Sequence, residues 1–367
     1  MLLQPFTSPS LRLRNRVVMA PLTRSRAVDA NTPNALMVEY YAQRAGAGLI
    51  ITEGTSPSPN GLGYARIPGL FNAAQVAGWR QVTDAVHAQG GRIFVQLMHT
   101  GRVAHVANLP AGARVVGPTE AVLEGQMYTD AQGMQPHSPP HAMTAADIEQ
   151  AVGEYVNAAK LAIEAGCDGI ELHAANGYLM EQFLNANVNT RTDAWGGSAQ
   201  KRNRFTLDVA RATAAAIGAE RVGIRVSPYG VFNGTGAFEG VEEQFIALAR
   251  ELGSLKLAYL HLVDHSSMGA PPVPANFKAR LKAEFGGTFI ASGGFSGRSG
   301  AEQAIKEGLG DLVAFGRAWL ANPDLIERLN AGIPLNEPDA TTFYTPGAKG
   351  YTDYPRADVA LPASATA

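Results

Sequence analysis

Eight short apolar runs alternate along this chain with segments of helical spacing, and that rhythm constrains the fold more tightly than any other feature. The runs lie at residues 17–22, 49–53, 93–97, 169–173, 222–226, 259–263, 289–292 and 312–315. They are rich in Val, Ile, Leu and Phe with little polar alternation, as parallel strands covered on both faces should be. The clearest helix falls between the third and fourth runs. Thr144 and Asp147 supply an N-terminal capping signal, Ile148, Val152, Tyr155, Val156, Ala159 and Ile163 follow at helical spacing, and Gly166 ends it. Further helices are expected near residues 35–45, 74–89, 200–217, 241–252, 275–284, 299–307 and 324–329. Eight strands alternating with helices imply an α/β fold, a (β/α)8 TIM barrel, spanning residues 1–356 as one domain. An open, doubly wound sheet is the competing arrangement, because strand count does not prove closure.

Residues 99–143 break the rhythm. They are rich in Pro, Gly and His and read as a capping insertion after strand three, carrying a hairpin over the barrel mouth, with a loose surface excursion as the competing reading. The tail, residues 357–367, lacks periodicity and is expected to be disordered.

In such a barrel the chemistry sits where the strands end. The fourth run leads into His173, Asn176 and Tyr178, three polar groups within six positions, which read as a substrate site. The first run ends in Pro21, Leu22 and Thr23, the second reaches Gly54, the third carries Gln96, and the fifth carries Arg225. The seventh runs into Ser292, Gly293 and Gly294, and the eighth into Gly316 and Arg317. Bare glycine N–H groups beside a guanidinium are what a phosphate needs, although a tight turn and a surface arginine would give the same letters. Flavin mononucleotide (FMN) suits the remaining strand ends. Gln96 can pair with the amide-like edge of a flavin, Arg225 can offset the negative charge gathered on reduction, and Thr23 can donate to the far carbonyl.

Several classes are excluded. The chain has 367 residues, 46% of them hydrophobic and 17% charged, with a net charge of −2, so no field attracts a polyanion and no nucleic-acid partner is expected. The single Cys167 cannot build an iron–sulfur cluster or a Cys-rich zinc site. Prolines at 136, 139 and 140 forbid the helix that would align His137 and His141 on a metal, so no metal is expected. There is no strand–GxGxxG–helix unit and no strand-borne Schiff-base lysine. Without a secretory leader pattern or membrane-length apolar stretch, the expectation is a cytoplasmic protein, monomer or homodimer, with no membrane partner.

Taken together, Ala20-Pro-Leu-Thr-Arg24, Val95-Gln-Leu-Met-His99-Thr-Gly-Arg102, Glu171-Leu-His-Ala-Ala-Asn-Gly-Tyr178, Gln182-Phe-Leu, Asn189-Thr-Arg-Thr-Asp193, Gly196-Gly-Ser198, Arg225-Val-Ser-Pro228 and Phe315-Gly-Arg317 resemble the Old Yellow Enzyme family in order and spacing. The closing Gly350-Tyr-Thr-Asp-Tyr-Pro355 resembles the end of its bacterial N-ethylmaleimide and pentaerythritol tetranitrate reductases. The resemblance runs from about Pro5 to Pro355. It implies noncovalent FMN held by Thr23, Gly54, Gln96, Arg225, Gly293, Gly294, Gly316 and Arg317. It further implies reduction by NADPH or NADH and reoxidation by an electron-poor alkene in ping-pong order, an NADPH dehydrogenase type of alkene reductase. His173 and Asn176 would bind the activating oxygen of the substrate, and Tyr178 would supply the proton. Tyr64, Met98, Phe343, Tyr344 and Tyr351 are further candidates for the substrate mouth. Three positions distinguish this chain within the family pattern: Met98 stands where many relatives have tryptophan, Asn176 where many have histidine, and Thr23 rather than cysteine lies near the flavin. Two other functions compete: a sugar-phosphate isomerase or aldolase on the same barrel, and a flavin-binding sensor without turnover.

Overall fold

The computed structural model describes residues 1–357. All eight apolar runs form strands: β1 (Val17–Met19), β2 (Leu49–Ile51), β3 (Ile93–Leu97), β4 (Gly169–Ala174), β5 (Val222–Val226), β6 (Tyr259–Val263), β7 (Phe289–Ser292) and β8 (Leu312–Phe315). Each pairs in parallel with its neighbour in sequence, and β8 returns to β1 through Val313 opposite Val17, Ala314 opposite Val18 and Phe315 opposite Met19. The sheet is a closed barrel, so the open-sheet alternative falls. β1 stops short of the expected end. Pro21 has no N–H to contribute to a ladder, and the last contact is Ala20 N–H donating to Phe315 O. β2 is shorter too, because Glu53 turns away to exchange hydrogen bonds with the Tyr41 hydroxyl.

Side chains alternate across each strand, and in a closed barrel that splits every strand between two cores. Val17, Met19, Ile50, Val95, Leu97, Ile170, Leu172, Val313 and Phe315 pack outward against the helices. Val18, Leu49, Ile51, Phe94, Tyr259, Ile290, Leu312 and Ala314 fill the lower interior with Phe6, Leu11 and Leu13. Phe6 and Leu13 belong to a short antiparallel ladder, Phe6–Thr7 with Arg12–Leu13, and Leu11 to the turn that joins its strands, so that the hairpin plugs the barrel floor. Too short to show a period, it left no signal in the sequence reading. Gly223 faces the same interior because a Cβ there would run into the Tyr259 ring.

The insertion after β3 contains an antiparallel hairpin, Gln126–Thr129 with Gly133–Pro136, and a parallel bridge of Val116–Gly117 to His141–Ala142. It is tied to the loops beyond the strand ends. Asn108 donates to Gly63 O at 2.9 Å, Arg66 pairs with Asp130, and Arg102 donates to Asn233 O at 3.1 Å. The helix that follows, Ala145–Glu164, opens on a reciprocal cap: Asp147 N–H donates to Thr144 Oγ1 at 3.2 Å and Thr144 N–H to Asp147 Oδ2 at 2.8 Å. Thr144→Ala is expected to lower unfolding free energy by about 1 kcal/mol, read as a shifted denaturation midpoint with an unchanged slope. The expected disorder of the tail concerns residues that, from 358 on, lie outside those described. No helix among the described residues is long and apolar enough to cross a membrane.

Candidate active site at the carboxyl end of the barrel

Above the apolar floor, the same inward-facing rows turn polar. Two residues beyond Phe94 comes Gln96, beyond Gly169 come Glu171 and His173, beyond Gly223 comes Arg225, and beyond Tyr259 comes His261. All five are buried. The Gln96 amide donates to Glu171 Oε1 at 2.8 Å, and His261 Nδ1 lies 2.8 Å from Glu171 Oε2. Glu171 therefore fixes the sense of the Gln96 amide and leaves its oxygen free to accept. Glu171 and His261 escaped the sequence reading, although an acid and a histidine at inward strand positions are the signal that would have found them.

Arg225 is different. Burial holds its guanidinium below its ordinary pKa, with Glu171 the nearest counter-charge. Its Nε is buried without any partner, and it forms no ion pair with the described residues. A buried guanidinium that finds no acceptor in its own chain calls for one from a ligand. The strand ends beside it suit a phosphorylated ring. Gly293 and Gly294 have φ of 128° and 72°, a region that glycine tolerates, and a Cβ at Gly293 would collide with Asp264 O. Through the β7–β8 pairing they adjoin Gly316 and the exposed Arg317, with Leu22 against Gly316. Ser292 is tied down by donating to Leu262 O at 3.3 Å. Pro21, Leu22 and Thr23 are half-buried after β1. Gly54 leaves no room for a side chain beside Met98. The chemistry of these groups fits FMN: the β7–β8 glycine N–H groups and Arg317 would suit its phosphate, and Gln96 and Arg225 its polar ring edge.

The β4 trio gathers at the mouth. The His173 and Tyr178 rings meet edge to face at 5.0 Å, and the Tyr178 hydroxyl is 3.1 Å from that of Tyr64. His173 Nδ1 and Asn176 Oδ1 are buried with no protein partner. Burial, then the charges of Arg225 and the nearby histidines, push His173 well below the ordinary histidine range, so it stays a neutral imidazole. Tyr178 is pushed up to about 12, burial outweighing the hydrogen bond from Tyr64 and the charge of Arg225. Met98 packs with Leu62 and Ile67, and Tyr64 and Tyr178 lean on that cluster. His99 serves its loop instead, with Nδ1 accepting from Gly101 N–H at 3.0 Å and burial lowering its pKa to about 3.

One expected mouth residue is placed elsewhere. Tyr351 is fully buried, stacked on Tyr40 at 4.1 Å with the Arg24 and Arg26 guanidinium groups over its ring. The tyrosine of that segment left in the open is Tyr344, which is 62% exposed and whose carbonyl is held by Arg66. Its segment is laid on the mouth by buried arginines. Arg24 donates to Phe343 O and Gly350 O, Arg26 to Thr342 O and Phe343 O, and Arg66 to Tyr344 O. Nothing local in the sequence says which tyrosine of the segment turns inward.

Comparison with known proteins agrees with this geometry. The model of the NADH:flavin oxidoreductase / NADH oxidase family matches residues 1–336. The chain is 40% identical to 12-oxophytodienoate reductase 7 of Oryza sativa subsp. japonica, over 96% of this chain and 94% of the relative. It is 42% identical to a probable flavin mononucleotide-dependent alkene reductase of Leishmania infantum, over 96% and 97%. The fold superposes on morphinone reductase with a TM-score of 0.93 at 44% identity, covering 97% of this chain and 96% of that one. It also superposes on an old yellow enzyme homologue from Zymomonas mobilis with a TM-score of 0.92 at 36% identity, covering 96% and 99%. A closed barrel ringed by these strand ends and matched along nearly its whole length makes this chain a member of the NADH:flavin oxidoreductase / NADH oxidase family, the Old Yellow Enzyme family.

Proposed function

We propose that the protein is an ene-reductase that holds FMN noncovalently and uses NADPH or NADH to reduce the C=C bond of electron-poor alkenes such as enones, maleimides and nitroalkenes. The observation that carries the reading is the pairing of unpartnered polar groups. Arg225 Nε lacks a protein acceptor on the cofactor side, and on the substrate side His173 Nδ1 and Asn176 Oδ1 have no protein partner, while the Asn176 NH2 that would donate makes no hydrogen bond to the described residues. Bound FMN supplies the two-electron carrier that takes hydride from the nicotinamide and passes it to the alkene. His173, as a neutral N–H donor, and the Asn176 amide bind the carbonyl or nitro oxygen and draw electron density from the conjugated carbon–carbon bond. Tyr178 gives its hydroxyl proton to the α-carbon, and the tyrosinate left behind is steadied by Tyr64, 3.1 Å away, until water returns a proton. The product gains one hydride and one proton across the former double bond. Relatives named as alkene and 12-oxophytodienoate reductases support this acceptor class.

Phosphate-binding groups at β7–β8 would suit a sugar phosphate equally well, but the inward Gln96, Glu171 and Arg225 array matches the polar edge of a flavin and has no counterpart to meet in a sugar phosphate. Purified protein is expected to be yellow, to bleach anaerobically with NADPH or NADH, and to recolour on addition of 2-cyclohexenone. Flavin that bleaches but is not recoloured by any enone, maleimide or nitroalkene would mark a binding protein without this activity. Protein that binds no FMN at all would remove the cofactor assignment.

A further inference from the structure

The turn that carries Asn176 is held by side chains from outside it. Asn176 and Gly177 both take positive φ, 60° and 75°, and a non-glycine residue in that region is uncommon unless its surroundings enforce it. Here they do. Asn176 N–H donates to Ser227 Oγ at 2.9 Å, and Gly177 N–H donates to Glu181 Oε2 at 2.6 Å. The Ser227 hydroxyl in turn donates to the Glu181 carboxyl, 3.1 and 3.0 Å from its two oxygens. On the other side, Asn233 Nδ2 donates to Asn176 O at 2.7 Å.

Glu181 is 1% exposed. It forms no ion pair with the described residues, and its protein donors are the Gly177 N–H and the Ser227 hydroxyl, so burial raises its pKa to about 8. A buried carboxyl costs stability wherever it is not repaid by its contacts, and the hydrogen bonds of this one end on the Gly177 N–H of the turn and on the serine that binds Asn176.

We propose that Glu181, acting through Ser227 and the Gly177 N–H, is the positioning residue that aims the Asn176 amide at the substrate oxygen. The inference rests on the reading of Asn176 as an oxygen-binding donor. It adds that a carboxyl in the helix Leu179–Leu184 and a serine just past β5 decide how well that donor is placed. Ser227 is the mechanical link, since one hydroxyl accepts from the Asn176 backbone and donates to Glu181. Gln182 of the same helix braces the turn as well, its amide donating to Gly177 O at 2.8 Å and to Thr100 O of the neighbouring loop at 2.9 Å, but it makes no hydrogen bond to Asn176.

The test titrates oxidised, FMN-loaded holoenzyme with 2-cyclohexenone, so that no turnover occurs, and reads the dissociation constant from the perturbed flavin spectrum. FMN affinity is measured in parallel by fluorescence. Asn176→Ala is expected to weaken enone binding about tenfold, the worth of one hydrogen bond. Glu181→Leu should weaken it by a similar factor, and Glu181→Leu combined with Asn176→Ala should bind no worse than Asn176→Ala alone, because both remove one donor. Glu181→Gln should restore binding to within about twofold of wild type, since its amide offers an acceptor to Gly177 and a donor to Ser227. FMN affinity should stay level throughout. If Glu181→Leu does not fold, Ser227→Ala carries the test and should weaken enone binding about threefold or more, as loss of a single neutral hydrogen bond would. Wild-type enone affinity in Glu181→Leu or Ser227→Ala, with Asn176→Ala impaired, would overturn the proposal, as would Glu181→Gln as weak as Glu181→Leu. Wild-type affinity in Asn176→Ala would instead overturn the reading of Asn176 on which it rests.

Discussion

Tyr178→Phe is expected to slow reoxidation by 2-cyclohexenone about 10²–10⁴-fold, the usual worth of a positioned general acid, while flavin content and reduction by NADPH or NADH remain near wild type. The split follows from the place of the hydroxyl. It is needed only when a proton must reach carbon, and its ring packing against His173 and the Met98 cluster survives the change. The wild-type reoxidation rate at saturating 2-cyclohexenone should also show no titration of Tyr178 or His173 between about pH 6 and pH 9. The donor acts in its protonated form, and with a pKa of about 12 it stays protonated over that window. The pKa of His173 is shifted in the opposite direction, downward, so it remains neutral above pH 6. Stopped-flow mixing of the two half-reactions measures this directly. Equal loss in both would mean that Tyr178 does something other than deliver a proton.

Arg225→Met should cost FMN affinity about 10²-fold or more, since a charged donor contributes roughly 1.5–3 kcal/mol per hydrogen bond and a guanidinium can make two. The cofactor-free chain, however, is expected to melt no lower than wild type. In the absence of a ligand, the guanidinium is a buried charge with an orphaned Nε, a liability that a methionine of similar length does not carry. A residue that weakens the empty barrel and secures the filled one has been retained for its ligand. Fluorescence titration of deflavinated protein, beside thermal melts with and without FMN, separates the two effects. Unchanged FMN affinity would take Arg225 out of the cofactor set. A large drop in the melting temperature of the empty chain would instead show that it serves chiefly as the counter-charge to Glu171.

Much of this was legible in advance, and unevenly. Strands β3, β5, β6, β7 and β8 begin and end where the apolar runs do, because a buried parallel strand writes its burial on both faces. The long helices were equally plain, since three or more turns give a period time to show. The helices Leu179–Leu184 and Arg317–Ala321 went unread. Each is too short to establish a period and begins immediately after a strand-end motif whose residues are chosen for other reasons. Within the site, alternation along the strands was enough to bring Gln96, His173 and Arg225 to one interior. It was not enough to show that Glu171 joins Gln96 to His261, or that Glu181 reaches back to the Asn176 turn.

What the chain determines by itself is local: where strands and helices run, which face of each is apolar, and which polar residues ride at the strand ends. Those properties depend on neighbours a few positions away, so they can be read in order along the sequence. Tertiary structure alone decided that the sheet closes by pairing β8 with β1, that Tyr351 and not Tyr344 is buried in the core, and that the donor turn is pinned by the serine just past β5. Each of these depends on groups far apart in sequence. Arg24 and Arg26, more than three hundred residues from the carbonyls they bind, hold the closing segment in place because a buried guanidinium must find acceptors wherever the folded chain supplies them.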